Sequence, residues 1–113
     1  MKFVSIFTFD PSTMTGKPDE AAMGRLITEM MRAGTLVDTG GVLPTGISLR
    51  VKRTGSATSV TDGPFTETKE MIGGFAVLNV GSKDEAVEVS HRFLEYTGAG
   101  TCELHEVSET PKP

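Results

Sequence analysis

Gly74-Phe75-Ala76-Val77-Leu78-Asn79-Val80-Gly81-Ser82-Lys83-Asp84-Glu85-Ala86-Val87 is the stretch whose reading decides the fold. Gly74 to Val80 is rich in Phe, Val and Leu, residues that suit a buried, pleated strand. Ser82-Lys83-Asp84-Glu85 is a capping box, in which a serine hydroxyl accepts from an amide three residues on and a glutamate reaches back. A strand thus passes straight into a helix, with Ala86, Val87, Phe93 and Leu94 on one side and Glu88 and Arg92 on the other. The helix is predicted to stop near Thr97-Gly98. A last strand, Thr101 to Val107, puts Cys102 and Leu104 on one face and Glu103 and His105 on the other.

The N-terminal half repeats this plan. Lys2 to Phe9 reads as a strand with apolar residues on both faces, closed by the turn residues Asp10 to Gly16. Pro18 fits the first turn of a helix, with Asp19 and Glu20 near its positive end. Met23, Leu26, Ile27, Met30 and Met31 recur at helical spacing, and Gly34 is the stop. Thr35 to Val42 is a short strand that runs out through Gly40, Gly41 and Pro44. Ile47 to Arg53 alternates apolar and polar residues as a half-exposed strand does, and Gly55-Ser56 turns it into Ala57 to Thr61. Arg50, Lys52 and Arg53 read as a solvated strand face, because no phosphate-cradling glycine loop opens a helix nearby.

The order is strand, helix, strand, inserted hairpin, strand, helix, strand. It predicts an α+β, ferredoxin-like (split β-α-β) subunit with both helices on one face of the sheet. The opposite face, apolar on the strands at Phe3–Phe9 and Phe75–Val80, calls for a homodimer that pairs two such faces. Residues 1–108 are expected to form a single domain, and 109–113 a flexible tail.

Composition excludes several classes. A chain of 113 residues with 37% hydrophobic residues supports one core. No apolar run nears the ~20 residues that span a bilayer, and nothing at the start resembles a signal peptide, so neither a membrane nor export is expected and the cytoplasm is. A net charge of −4 argues against nucleic acid as partner. One Cys and two His are too few for a zinc site or a disulfide framework, and no metal or cofactor is expected. His91 reads as an exposed helical histidine, His105 as one facing water or a dimer interface, and Cys102 as a small buried hydrophobe.

Asp62-Gly63-Pro64-Phe65-Thr66-Glu67-Thr68-Lys69-Glu70 fits neither core nor ordinary linker. Asp-Gly-Pro forces a tight change of direction. Carboxylates and an ammonium then gather beside Phe65 and Gly73-Gly74, the kind of set whose proton affinities shift. The same residues equally make an exposed turn, or an ion-paired clasp that holds the loop to the sheet.

This nine-residue run, followed by Gly73-Gly74-Phe75, resembles the signature of the YCII-related proteins of the DGPF type. The opening Met1-Lys2-Phe3 and the stretch Leu36 to Pro44 also sit where that family has them, so the likeness spans about residues 1 to 107. The resemblance implies a dimeric α/β barrel, a bacterial origin, and a pocket between the sheet and its surroundings that takes a small molecule. Some relatives pair a His near the start of the first helix with an Asp after it. Here positions 18–34 hold no His; Ala22, Met23 and Gly24 stand in that part, and Asp38 follows without an imidazole to orient. Acid–base work would then fall to Asp62, Glu67, Lys69 or Glu70, and Asp38, Asp62, Phe65, Glu67, Lys69 and Glu70 are the candidate ligand-binding residues, with no catalytic role assigned to any. Two readings stand: an enzyme doing proton transfer on a small organic substrate near this loop, or a non-catalytic binding or regulatory dimer. The family's association with bacterial transcription regulators supports the second.

Overall fold

The computed structural model describes residues 1–14, 17–43, 46–63, 65 and 70–109. Its elements are β1 (Lys2–Phe9), α1 (Glu20–Ala33), β2 (Leu36–Gly41), β3 (Leu49–Thr54), β4 (Ala57–Asp62), β5 (Met71–Asn79), α2 (Lys83–Thr97) and β6 (Thr101–Val107). Four strands form one sheet in the order β2-β5-β1-β6, and β3 and β4 pair separately as a hairpin. Every pairing is antiparallel. The strands joined by α1 are split by β5, and those joined by α2 are split by β1. The fold is thus α+β, and its strand order is compatible with the ferredoxin-like arrangement.

Each helix has an identifiable start and stop. The Asp19 carboxylate accepts from the amide of Ala22 at 3.0 Å, which makes Asp19 the cap of α1 and leaves Pro18 one residue outside the helix that was expected to include it. The Ser82 hydroxyl accepts from Glu85 at 3.2 Å. Glu85 reaches one residue further back than a capping box requires, to the amide of Gly81 at 2.8 Å. Gly34 and Gly98 end the helices in left-handed geometry, with φ of 78° and 83°. Arg92 on α2 meets Glu29 on α1 at 2.7 Å.

The core is a single layer between helices and sheet. Phe3, Leu26, Met30, Leu36, Leu78 and Ala86 are buried there, with Ile27, Val89 and Phe93 packed against them. Met31 and Val87, expected on the apolar sides, are exposed; on α2 it is Val89 that meets the sheet. The register assigns the sheet faces, since directly paired residues share one. Ser5, Ala76 and Leu104 align under the helices, as do Phe7 and Cys102. Val4, Val77 and His105, and Ile6, Phe75 and Glu103, align on the face that carries no helix.

The β3–β4 hairpin departs from the expectation of a half-exposed strand, because all its residues are exposed. Leu49, Val51 and Val60 line one of its faces and are exposed. The projecting arm raises the radius of gyration to 16.2 Å, against about 13 Å for a compact chain of this length.

Candidate functional site

The sheet and the helices close imperfectly at one end, and a pocket of about 730 Å³ lies between them. That volume is within the ordinary range for small-molecule sites. Phe7 and Phe9 of β1, Met23 and Ile27 of α1, and Phe93 of α2 are among its apolar lining. The Phe7 ring stands edge-on to Phe93 at 5.2 Å and stacks on Phe9 at 6.0 Å, so the aromatic wall holds itself in place.

Glycines make room for that wall. A Cβ at Gly73 would lie 2.6 Å from the Phe7 ring, and one at Gly74 would lie 2.7 Å from the Gly40 carbonyl oxygen. No other residue type fits either place without displacing a ring or a strand. The Gly73-Gly74 pair is therefore a packing requirement of the pocket wall.

Among the described residues the polar lining is neutral apart from Glu20. Thr39 donates its hydroxyl to the Phe75 carbonyl at 2.8 Å, Thr97 to the carbonyls of Leu94 and Ala99, and Ser90 to that of Ala86 at 2.9 Å. Cys102 is half-buried beside Ser5 and Ser90. Burial pushes its thiol above the usual cysteine range, and the two serine hydroxyls offset this only in part. A raised folded value means that folding favours the protonated thiol. Its contribution to stability is complete below the unfolded value of about 8.5 and declines as the pH climbs from there through the folded value. Thermal melts between neutral pH and pH ~10 should therefore fall more steeply for the native chain than for Cys102→Ala. Parallel curves would assign the alkaline loss to other groups.

The residues singled out in the sequence lie elsewhere. Asp38 is exposed on the helix-free face, paired in register with Val77, and its carboxylate accepts from the Thr39 amide at 2.9 Å. Asp62 ends β4 at the base of the arm and is exposed. Phe65 is half-buried under the guanidinium of Arg50, 4.1 Å above its ring, a cation–π contact. Glu70 accepts a long bond of 3.4 Å from the Thr8 hydroxyl. Glu67 and Lys69 lie outside the described residues, as do Thr15, Gly16, Pro44 and Pro64 of the expected turns and residues 110–113 of the expected tail. Asp38, Asp62, Phe65 and Glu70 do not line the pocket; Gly73, Gly74 and Phe75 do. Where relatives were expected to carry a helical His, α1 directs Met23 into the pocket. His105 lies 2.7 Å from Glu103 on the helix-free face. Among the described residues no three His, Cys, Asp or Glu side chains gather as metal ligands would.

Sequence reasoning missed Ser5, Ser90 and Phe93 as pocket residues. The one available signal was Ser5, a lone hydroxyl between Phe3 and Phe7 on a strand face that is otherwise aromatic.

Fold and pocket together define a small α+β domain with a half-open, largely apolar pocket between helices and sheet. The chain belongs to the YCII-related domain family, whose model matches residues 1–110. It is also similar to an uncharacterized protein of Rhizobium meliloti (strain 1021), at 36% identity over 58 residues. That match covers 51% of this chain and 47% of the other, so the chain aligns with about half the length of that relative. No helix among the described residues is long and apolar enough to cross a membrane.

Proposed function

We propose that this YCII-related chain is a non-catalytic binding or regulatory module of the cytoplasm, which acts as a homodimer and takes a small, largely apolar organic molecule into the pocket between helices and sheet. The observation that carries this reading is the lining. Aromatic and aliphatic side chains dominate it, and Glu20 is its sole charged group among the described residues. An anionic ligand would leave water there with no cation among these residues to meet it. The enzymatic alternative, proton transfer by the Asp62, Glu67 and Glu70 group, lacks that support, because Asp62 and Glu70 are exposed and outside the lining. In the proposed dimer, the helix-free faces of two copies pair to close an α/β barrel. The apolar residues Val4, Ile6, Phe75 and Val77 at the centre of that face support this.

A thermal-shift screen of neutral aromatic and aliphatic metabolites tests the binding reading. A ligand at about 100 times its Kd adds about 2.7 kcal/mol, which raises Tm by roughly ten degrees in a domain this small. Hits confined to charged metabolites would overturn the assignment. A hit that the protein also converts, with conversion lost in Asp62→Asn, would restore the enzymatic alternative.

A further inference from the structure

Gly40, Gly41, Gly73 and Gly74 of β2 and β5 all line the cavity, and packing accounts for every one of them except Gly41. A Cβ at Gly40 would lie 2.8 Å from the Phe75 ring, and those at Gly73 and Gly74 would strike the Phe7 ring and the Gly40 carbonyl oxygen. At Gly41 the nearest described atom to a Cβ is the Gly73 carbonyl oxygen, 3.9 Å away, an ordinary van der Waals distance. The backbone does not call for glycine there either, because the described glycines of positive φ are Gly34, Gly55, Gly98 and Gly100. Yet a glycine in a strand gives up cross-strand packing and loses more chain entropy on folding, so alanine or valine would serve β2 better. Register shows where such a side chain would go. Gly41 pairs with Gly74, Gly74 with Phe7, and Phe7 with Cys102, so this row shares the face under the helices. Every member of the row lines the cavity, and Gly41 is exposed to it at the end of an edge strand. A side chain at 41 would project into the cavity and meet no described atom of the protein closer than that carbonyl.

We propose that Gly41 is a specificity-determining position: the apolar body of the bound molecule lies against the bare backbone of Gly41 and Gly74, in the space a side chain at 41 would fill. A strand glycine without a packing reason marks a place where another group comes close to the backbone. The inference rests on the reading of this cavity as the ligand site, and it adds where the ligand lies and which residue limits its size. An aromatic body suits the seat, because the Phe7 ring stands next to the glycines in the same row and can meet it edge-on or face-on.

The probe is β-naphthol, titrated by calorimetry against the native protein, Gly41→Ala and Gly24→Ala, with urea unfolding of each alongside. Gly41→Ala adds one methyl group to the floor of the cavity. It should unfold at the native urea concentration or above it, and bind β-naphthol about tenfold more weakly, the effect of one methyl-sized misfit in an apolar pocket. Gly24→Ala is the control, since a Cβ there also meets nothing within 4 Å and Gly24 is not among the lining residues. Its affinity should match the native one. Native affinity in Gly41→Ala overturns the proposal, and so does an equal loss in Gly24→Ala. A Gly41→Ala chain that unfolds well below the native urea concentration also overturns it, because the fold itself would then need the glycine. If the native protein does not bind β-naphthol, the cavity is not a site for small aromatics, and the reading beneath this inference fails with it.

Discussion

Gly100→Ala should destabilise the domain by about 3 kcal/mol, whereas Gly98→Ala, two residues earlier, should cost about 1 kcal/mol. Both glycines have positive φ, +124° and +83°. What separates them is their surroundings. A Cβ at Gly98 meets nothing within 4 Å, so alanine there bears only the strain of a left-handed helix terminus. A Cβ at Gly100 would lie 2.4 Å from the Phe7 ring and 2.9 Å from the Thr8 carbonyl oxygen. The ring could turn away, but the carbonyl belongs to β1 at the centre of the sheet and cannot move without loosening the pairing of Thr8 with Thr101. Strain and clash therefore add. Urea unfolding of the two variants measures both effects, and equal losses would show that β1 gives way more readily than its central position allows. Because Phe7 also forms the aromatic wall of the pocket, Gly100→Ala should weaken ligand binding as well, and Gly98→Ala should leave it alone.

The same contrast shows which parts of the molecule could be read from the chain. Local signals were legible: the strand limits Lys2–Phe9 and Thr101–Val107 follow from composition, and Gly34 and Gly98 stop their helices as their positions suggest. The hairpin was read correctly as a hairpin and wrongly as half-buried. Alternation in Ile47 to Arg53 says that one face is apolar, but it cannot say whether the chain supplies a layer to cover that face. Met31 and Val87 failed for a related reason, since helical spacing leaves the apolar arc uncertain by one side chain at its margin. The resemblance implies a pocket, but most of the residues that line it were not legible. Ser5, Met23, Ser90 and Cys102 come from four elements, and only the register of β1 with β6 and the seating of the helices bring them together. The charged loop drew attention because its residues are adjacent in sequence. Among its described residues, Gly73, Gly74 and Phe75 at its end line the pocket.

The helix-free face carries the other large prediction. Ile6 pairs with Phe75 on one side and Glu103 on the other, and Val4 pairs with Val77 and His105. An apolar centre rimmed by ionisable groups is the pattern of a face that meets a second protein surface. A two-fold pairing would set each Ile6 near the middle of a self-complementary interface, so one substitution acts twice. Ile6→Lys would then bury two ammonium groups without a countercharge, at about 3 kcal/mol or more for the pair, or at least 100-fold in dimer affinity. In a monomer the lysine would reach water along an exposed sheet, and the fold should survive. The expected result in sedimentation equilibrium at micromolar concentration is twice the 12.0 kDa chain mass for the native protein and once that mass for Ile6→Lys. Far-UV circular dichroism of the two should be alike. A native chain that sediments as a monomer would remove the barrel from the proposed function. The pocket lies between the helices and the other face of the sheet, so its ligand is tested separately. A second copy would also give the exposed Leu49, Val51 and Val60 of the arm a surface to cover, and Arg50, Lys52 and Arg53 would bring positive charge to a molecule that is otherwise acidic. Loss of dimer in Ile6→Lys should accordingly expose the arm to proteolysis between Leu49 and Asp62 at a rate the native dimer does not show.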